Sequence, residues 1–92
     1  MRGIEYDPKK SDKNVIARSL HFGQAFEFNW ETALYSEDTR NNYPEKRYIA
    51  IGYLEKRLHV ICFTPINESV RIISFRKANS REVKRYEKTI NK

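Results

Sequence analysis

The chain carries one cysteine, three glycines and three prolines among 92 residues, and no long apolar run. A lone cysteine excludes an internal disulfide. Cys62 lies in the stretch Leu58-His59-Val60-Ile61-Cys62-Phe63, where a small buried hydrophobe fits better than a reactive thiol. Gly3, Gly23 and Gly52 are too scattered to build a P-loop or a G-x-G-x-x-G turn, so the usual cradle for a nucleotide cofactor is lacking. His21 and His59 stand far apart, with no H-E-x-x-H or Cys-rich spacing; no metal site and no cofactor are expected. Neither a G-x-S-x-G elbow nor a Cys-His pair is present to suggest a hydrolase nucleophile. No window approaches the roughly 18 apolar residues that span a membrane. Met1-Arg2-Gly3-Ile4-Glu5-Tyr6-Asp7-Pro8 lacks the apolar centre of a secretory signal, so the expected location is the cytoplasm.

What is abundant is positive charge, and it is local. Residues 1–70 carry ten Lys or Arg and ten Asp or Glu, whereas residues 71–92 carry eight against two, so the whole net charge of +6 comes from the C-terminal stretch. A localised positive field attracts polyanions, through counterion release from nucleic acid or through pairing with an acidic protein. A solvated helix face is the plainer reading of the same charge.

A chain of this length with no repeat or linker is expected to form one domain over residues 1–92. Only 39% of it is hydrophobic, so its stability should be modest. Asp7-Pro8 reads as an N-cap followed by proline at the first helical position, opening a helix to about Arg18. Phe22, Ala25 and Phe26, at i, i+3 and i+4, predict a second short helix ending near Asn29.

After Trp30 the pattern shifts to alternation and unbroken apolar runs, predicting strands over 32–37, 47–54, 58–64 and 70–76. Residues 55–57 and 65–69 leave room only for tight returns, so the last three strands should be sequential and antiparallel; residues 38–46 read as a loop. Asn79-Ser80-Arg81-Glu82 resembles a capping box and opens a C-terminal helix. On that helix Val83, Tyr86 and Ile90 share the face that would dock on the sheet, leaving Arg81, Lys84, Arg85 and Lys88 outside. The expected class is α+β, with short N-terminal helices, an antiparallel sheet of about four strands and a basic C-terminal helix packed on it.

The groups left for chemistry are cations and hydrogen-bonding side chains around the sheet: Arg47, Arg71, Arg76 and Lys77, with Glu45, His59, Tyr48 and Tyr86. Metal-free RNA cleavage needs little more, because the 2′-hydroxyl of the substrate supplies the nucleophile. The protein must orient it, shift protons and stabilise charge on phosphorus. Arg71 and Arg76 are an odd number of residues apart, so a regular strand would send them to opposite faces unless a bulge intervened. Tyr86 reads more readily as a core anchor than as a proton donor, His59 as structural or edge-exposed and Glu45 as a solvated loop carboxylate.

The sequence resembles the BrnT toxins, grouped with RelE-type toxins. The resemblance opens at Ile4-Glu5-Tyr6-Asp7-Pro8-Lys9-Lys10 with Asn14, similar to F-x-W-D-x-x-K-x-x-x-N. It continues through Phe22-Gly23-Gln24-Ala25, Trp30-Glu31-Thr32-Ala33-Leu34 and Glu37-Asp38-Thr39-Arg40. Glu45-Lys46-Arg47-Tyr48-Ile49-Ala50-Ile51-Gly52 looks like E-x-R-(F/Y)-x-A-I-G. Arg71-Ile72-Ile73-Ser74-Phe75-Arg76-Lys77-Ala78 with Glu82 and Tyr86 is similar to R-I-I-S-x-R-x-A-x-x-x-E-x-x-x-Y.

The resemblance implies a RelE-like fold and a ribonuclease that stops translation. It also implies a BrnA-like ribbon-helix-helix antitoxin, through which alone operator DNA would be reached. Arg76, Arg71, Arg47, Glu45 and Tyr86 become the candidate catalytic set, and Lys77, Arg81, Lys84, Arg85 and Arg18 the candidate RNA-binding set. Where many members have His-Gly after the first helix, this chain has Arg18-Ser19; Arg18 could hold phosphate but not act as a base, its pKa exceeding about 12. The alternative is a non-catalytic basic module that pairs with an acidic protein or nucleic acid, and a third reading is a structural subunit with no nucleic-acid role.

Overall fold

The structure, a computed structural model, describes residues 3–90. Strand β1 (Gly3–Tyr6) leads into helix α1 (Pro8–Arg18) and a 3₁₀ segment (Phe22–Glu27). Strands β2 (Leu34–Glu37), β3 (Tyr48–Leu54), β4 (Arg57–Ile66) and β5 (Ser69–Lys77) follow, and helix α2 (Ser80–Ile90) ends the described chain. The sheet has five strands in the order β1-β5-β4-β3-β2.

The sheet is therefore mixed and one strand larger than the four-stranded antiparallel one expected. β2 to β5 are sequential and antiparallel, but β1 lies parallel to β5, with Ile4 opposite Val70 and Tyr6 opposite Ile72. Four residues are too few to announce a strand by alternation, and the partner of β1 is remote in sequence. The two hairpin turns are tight. Glu55 and Asn67 take positive φ of 57° and 54°, a conformation that suits Asn better than Glu.

Asp7 caps α1 by accepting from the Lys9 amide at 2.9 Å, and Pro8 stands in the first turn. Hydrogen bonds rather than an apolar stripe tie this helix down. Ser11 is fully buried and accepts from the Phe22 amide at 3.0 Å, while Asn14 Nδ2 reaches the Leu20 and Phe75 carbonyls, both at 2.9 Å. The helix stops at Ser19, whose φ of 55° is left-handed and whose amide donates to the Val15 carbonyl at 2.8 Å. That geometry favours glycine.

The second helix is a 3₁₀ segment rather than an α-helix running to Asn29. Three residues per turn align Phe22, Ala25 and Phe28, all buried, and rotate Phe26 outward, where it is exposed. Phe28 then bridges to Leu54 and the Asn29 amide donates to the Tyr53 carbonyl at 2.8 Å, drawing the chain into extended form beside β3.

The two faces of the sheet have different covers. Ala50, Leu54, Ile61, Phe63, Val70, Ile72 and Phe75 form an inner face with Leu20, Phe22, Ala25 and Phe28. At about 25 cal/mol per Å² of apolar surface, this core is the main stabilising element. Gly52 belongs to it by necessity: a Cβ there would lie 2.7 Å from Phe28 Cζ and 3.0 Å from Ala33 Cβ.

On the outer face Ile51, Leu58 and Val60 receive α2 through Ala78, Val83 and Tyr86. The capping box that opens α2 is present in both directions, with Asn79 N to Glu82 Oε1 at 2.8 Å and Glu82 N to Asn79 Oδ1 at 2.9 Å. Ile90 does not dock as expected but stays half exposed. Tyr86 already reaches Thr32, just before the edge strand β2, and the next turn finds no apolar surface to cover.

Candidate functional site

The outer face is a set of side-chain rows running across the strands. The row under α2 comprises Leu34, Ile51, Val60 and Arg76; the next, Ser36, Ile49, Cys62 and Ser74. A third joins Asp38 and Arg47, linked by the Asp38 amide to the Arg47 carbonyl at 2.7 Å, with Thr64 and Arg71. Helix α2 covers the first row and the loop 38–47 rises over the third. Between them the middle row is the floor of a cleft, with Ser36 and Ser74 exposed at its ends and Cys62 buried at its centre.

One irregularity makes this arrangement possible. Cys62 pairs with Ser74 but Phe63 pairs with Ile72, so Ile73 is an extra residue in β5. The bulge reverses the alternation between Arg71 and Arg76. Both arginines, five positions apart, thus stand on the outer face beside the cleft.

Four arginines rim the cleft, each held by a carboxylate. Arg76 Nη1 and Nη2 donate to Glu82 Oε1 and Oε2, both at 2.8 Å. Arg40 Nε and Nη2 donate to Asp38 Oδ1 and Oδ2, again both at 2.8 Å. Arg47 makes a single 3.2 Å contact with Glu45 and stacks 4.0 Å over the Tyr43 ring. Arg71 reaches Glu5 at 3.5 Å. The first two pairs are bidentate and fix the guanidinium plane; the latter two are single, longer contacts of the weak surface kind.

The electrostatics follow these contacts. The hydrogen bonds from Arg40 hold the Asp38 carboxyl well below the usual carboxylate range, and the Tyr43 hydroxyl adds to this at 3.3 Å. The Asp38 side chain has no exposed surface, whereas 70% of the Arg40 side chain is exposed, so the aspartate presents the far edge of the guanidinium to solvent. Glu82 is lowered by its bonds from Arg76, and Arg76 is raised by them. Arg40 is near enough to Arg76 to oppose its charge. Burial pushes the Cys62 thiol up, keeping it protonated; its Sγ lies 3.8 Å from Asp38 Oδ2, and it is no nucleophile.

Of the residues expected from sequence, the fold brings Arg76, Arg71 and Arg47 to one face, with Glu45 beside Arg47. Tyr86 projects from α2 onto that face and is buried there, edge-on to Tyr53, with its hydroxyl donating to the Thr32 carbonyl at 3.0 Å. Arg81, Lys84 and Arg85 are exposed along α2. Lys77 lies opposite His59 on the inner side and lines a separate cleft there with Arg18. His59 is also on that side, its pKa lowered by burial.

Asp38, Arg40, Tyr43 and Glu82 were not singled out as site residues by sequence reasoning. Their signals were the i, i+2 spacing of Asp38 and Arg40 in the polar loop, and the capping carboxylate six positions after Arg76. Among the described residues no three His, Cys, Asp or Glu side chains converge as a metal site would require.

A family model described as "Ribonuclease toxin, BrnT, of type II toxin-antitoxin system" matches residues 6–82. The chain belongs to the BrnT family. It is accordingly the toxin of a type II pair, with an antitoxin for a partner and RNA for a target. The BrnT match takes in all four rim arginines and ends at Glu82, the carboxylate that holds Arg76. No curated protein and no solved structure matches the chain. Among the described residues no helix is long and apolar enough to cross a membrane.

Proposed function

We propose that this BrnT chain is a metal-independent endoribonuclease that cuts RNA in the arginine-rimmed cleft and so stops translation. The observation that carries the reading is the bulge at Ile73, which sets Arg71 and Arg76 on one face of the sheet, on either side of Ser74. Arg40 and Arg76, oriented by Asp38 and Glu82, keep unused N–H groups for the charge that builds on phosphorus. Arg47 and Arg71, loosely paired, release their carboxylates and take the flanking phosphates. Glu45, thereby freed from Arg47, accepts the 2′-hydroxyl proton as the 2′-oxygen bonds to phosphorus and the P–O5′ bond breaks, the departing 5′-oxygen taking its proton from solvent. Tyr86 positions α2 and, through it, Glu82. Arg81, Lys84 and Arg85 extend the cationic track, and the salt dependence of RNA binding counts them.

The fold is read as RelE-like, supported by the order of N-terminal helical elements, sequential antiparallel strands and C-terminal helix. The antitoxin is read as BrnA-like, a ribbon-helix-helix protein that alone brings the pair to operator DNA. Incubation of the free toxin with RNA in EDTA is expected to give discrete fragments ending in 2′,3′-cyclic phosphate and 5′-hydroxyl groups. Intact RNA at high toxin concentration contradicts the reading.

A second reading has one specific observation behind it: every rim arginine is already paired with a carboxylate. On this view the cleft grips RNA without cutting it. Salt-sensitive binding with no scission under any condition would select it.

A further inference from the structure

A cavity of about 750 Å³ lies away from the arginine cleft, on the inner side at the end of the β3–β4 hairpin. Arg18, Lys56, Arg57 and Lys77 line it, with Glu55 the one acidic residue on its wall. Its apolar lining is Leu20 and Leu54, and its polar wall is Gln24 and His59.

The chemistry of His59 is set by its neighbours. The ring is buried and packs edge-on to Phe75, and its Nδ1 lies 2.9 Å from the Arg57 carbonyl. A carbonyl only accepts, so Nδ1 carries the proton, and in the neutral ring Nε2 is an acceptor. Burial holds this ring below the ordinary histidine value, which keeps it neutral. The cavity thus offers four cations, apolar contacts, one ring acceptor and the Gln24 amide nitrogen as a donor, the Gln24 oxygen being engaged by the His21 amide at 2.9 Å. Its size falls in the range of small-ligand sites.

We propose that this cavity is a nucleotide pocket: it takes one ribonucleotide of single-stranded RNA, the phosphate on the four cations and the base against Gln24 and His59. The proposal rests on RNA being the target. Arg76 and Lys77 are adjacent on β5 and face opposite sides, so a strand passing over this end of the sheet meets both sites. A base placed here fixes which phosphate reaches the arginines, and the pocket therefore sets sequence preference.

The test is titration of the full chain with each of the four nucleoside 5′-monophosphates, with inorganic phosphate and with nucleosides. Binding is read by calorimetry and by the NMR signals of the His59 ring. Nucleotides are expected to shift the His59 signals and to bind at least tenfold more tightly than phosphate or nucleoside alone. In Lys56→Ala/Arg57→Ala, two exposed hairpin substitutions, affinity should fall at least tenfold. Lys88→Ala, an exposed substitution on α2 outside both sites, should bind nucleotide as the wild type does. His59 signals unmoved by any nucleotide, or shifts undiminished in the double variant, overturn the proposal. Nucleotide binding without RNA scission leaves the pocket standing and removes the nuclease reading; scission without nucleotide binding does the reverse.

Discussion

Glu82 holds Arg76 by two hydrogen bonds of 2.8 Å while its Oε1 also accepts the Asn79 amide. One carboxylate thus starts helix α2 and aims the guanidinium at the cleft. Glu82→Gln keeps the size and most of the cap but loses the charge. It should cost about 1 kcal/mol, the scale of a partly exposed ion pair with good geometry, measured by urea denaturation. RNA cleavage should fall about tenfold or more, because a misaimed arginine stabilises the transition state poorly. Cleavage equal to wild type would show that Arg76 does not depend on this pair.

Acid should weaken the protein in two stages. Burial lowers the His59 pKa, so below its ordinary value of about 6.5 the unfolded chain binds a proton that the folded one resists. Stability contributed by the neutral ring is present above that pH and lost as pH falls. Glu82 and Asp38, lowered by their arginines, act in the same direction further down: their contribution is present above the ordinary carboxylate values and lost as pH drops through the folded ones. Urea midpoints should decline from pH 7 to 5 and again below about 4. His59→Gln should flatten the upper limb alone, and an unchanged upper limb would exclude His59 as its source.

Gly52→Ala tests the inner face. Its Cβ would stand 2.7 Å from Phe28 Cζ, so either the ring or the strand must move. A loss of about 1–3 kcal/mol is expected, in the range of overpacked cores. A thermal midpoint equal to wild type would mean that Phe28 yields freely.

Ser19→Gly should have the opposite sign. Ser19 holds φ of 55° at the end of α1, and relieving a left-handed conformation, less the added entropy of glycine, is worth about 0.5–1 kcal/mol. Thermal denaturation of the variant should shift upward; a downward shift would show that the Ser19 side chain contributes more than its backbone costs.

The boundaries of α1, the start of α2 and four of the five strands were legible because their signals are local. Asp7-Pro8 and the Asn79–Glu82 box use side chains a few residues apart, and β3 to β5 join through two-residue turns. β1 was not legible, since its partner in β5 is far along the chain. The 3₁₀ form was missed because Phe22 and Ala25 fit both periods, and only Phe26 distinguishes them. The site was half legible. Arg71, Arg76 and Arg47 could be picked by type, but the bulge that unites them is a property of pairing between β4 and β5. Asp38 and Arg40 sit in a loop whose fold over the sheet no short-range pattern encodes, and Lys77 falls on the other side because β5 alternates through its last residue.

The most direct test of the central claim is RNA cleavage in EDTA by the wild type and by Arg76→Ala, with circular dichroism and a melting curve for each. The expected result is discrete fragments from the wild type and a loss of about a hundredfold or more in the folded variant, the scale of removing one charge-stabilising donor. Equal cleavage by a folded Arg76→Ala protein would contradict the account.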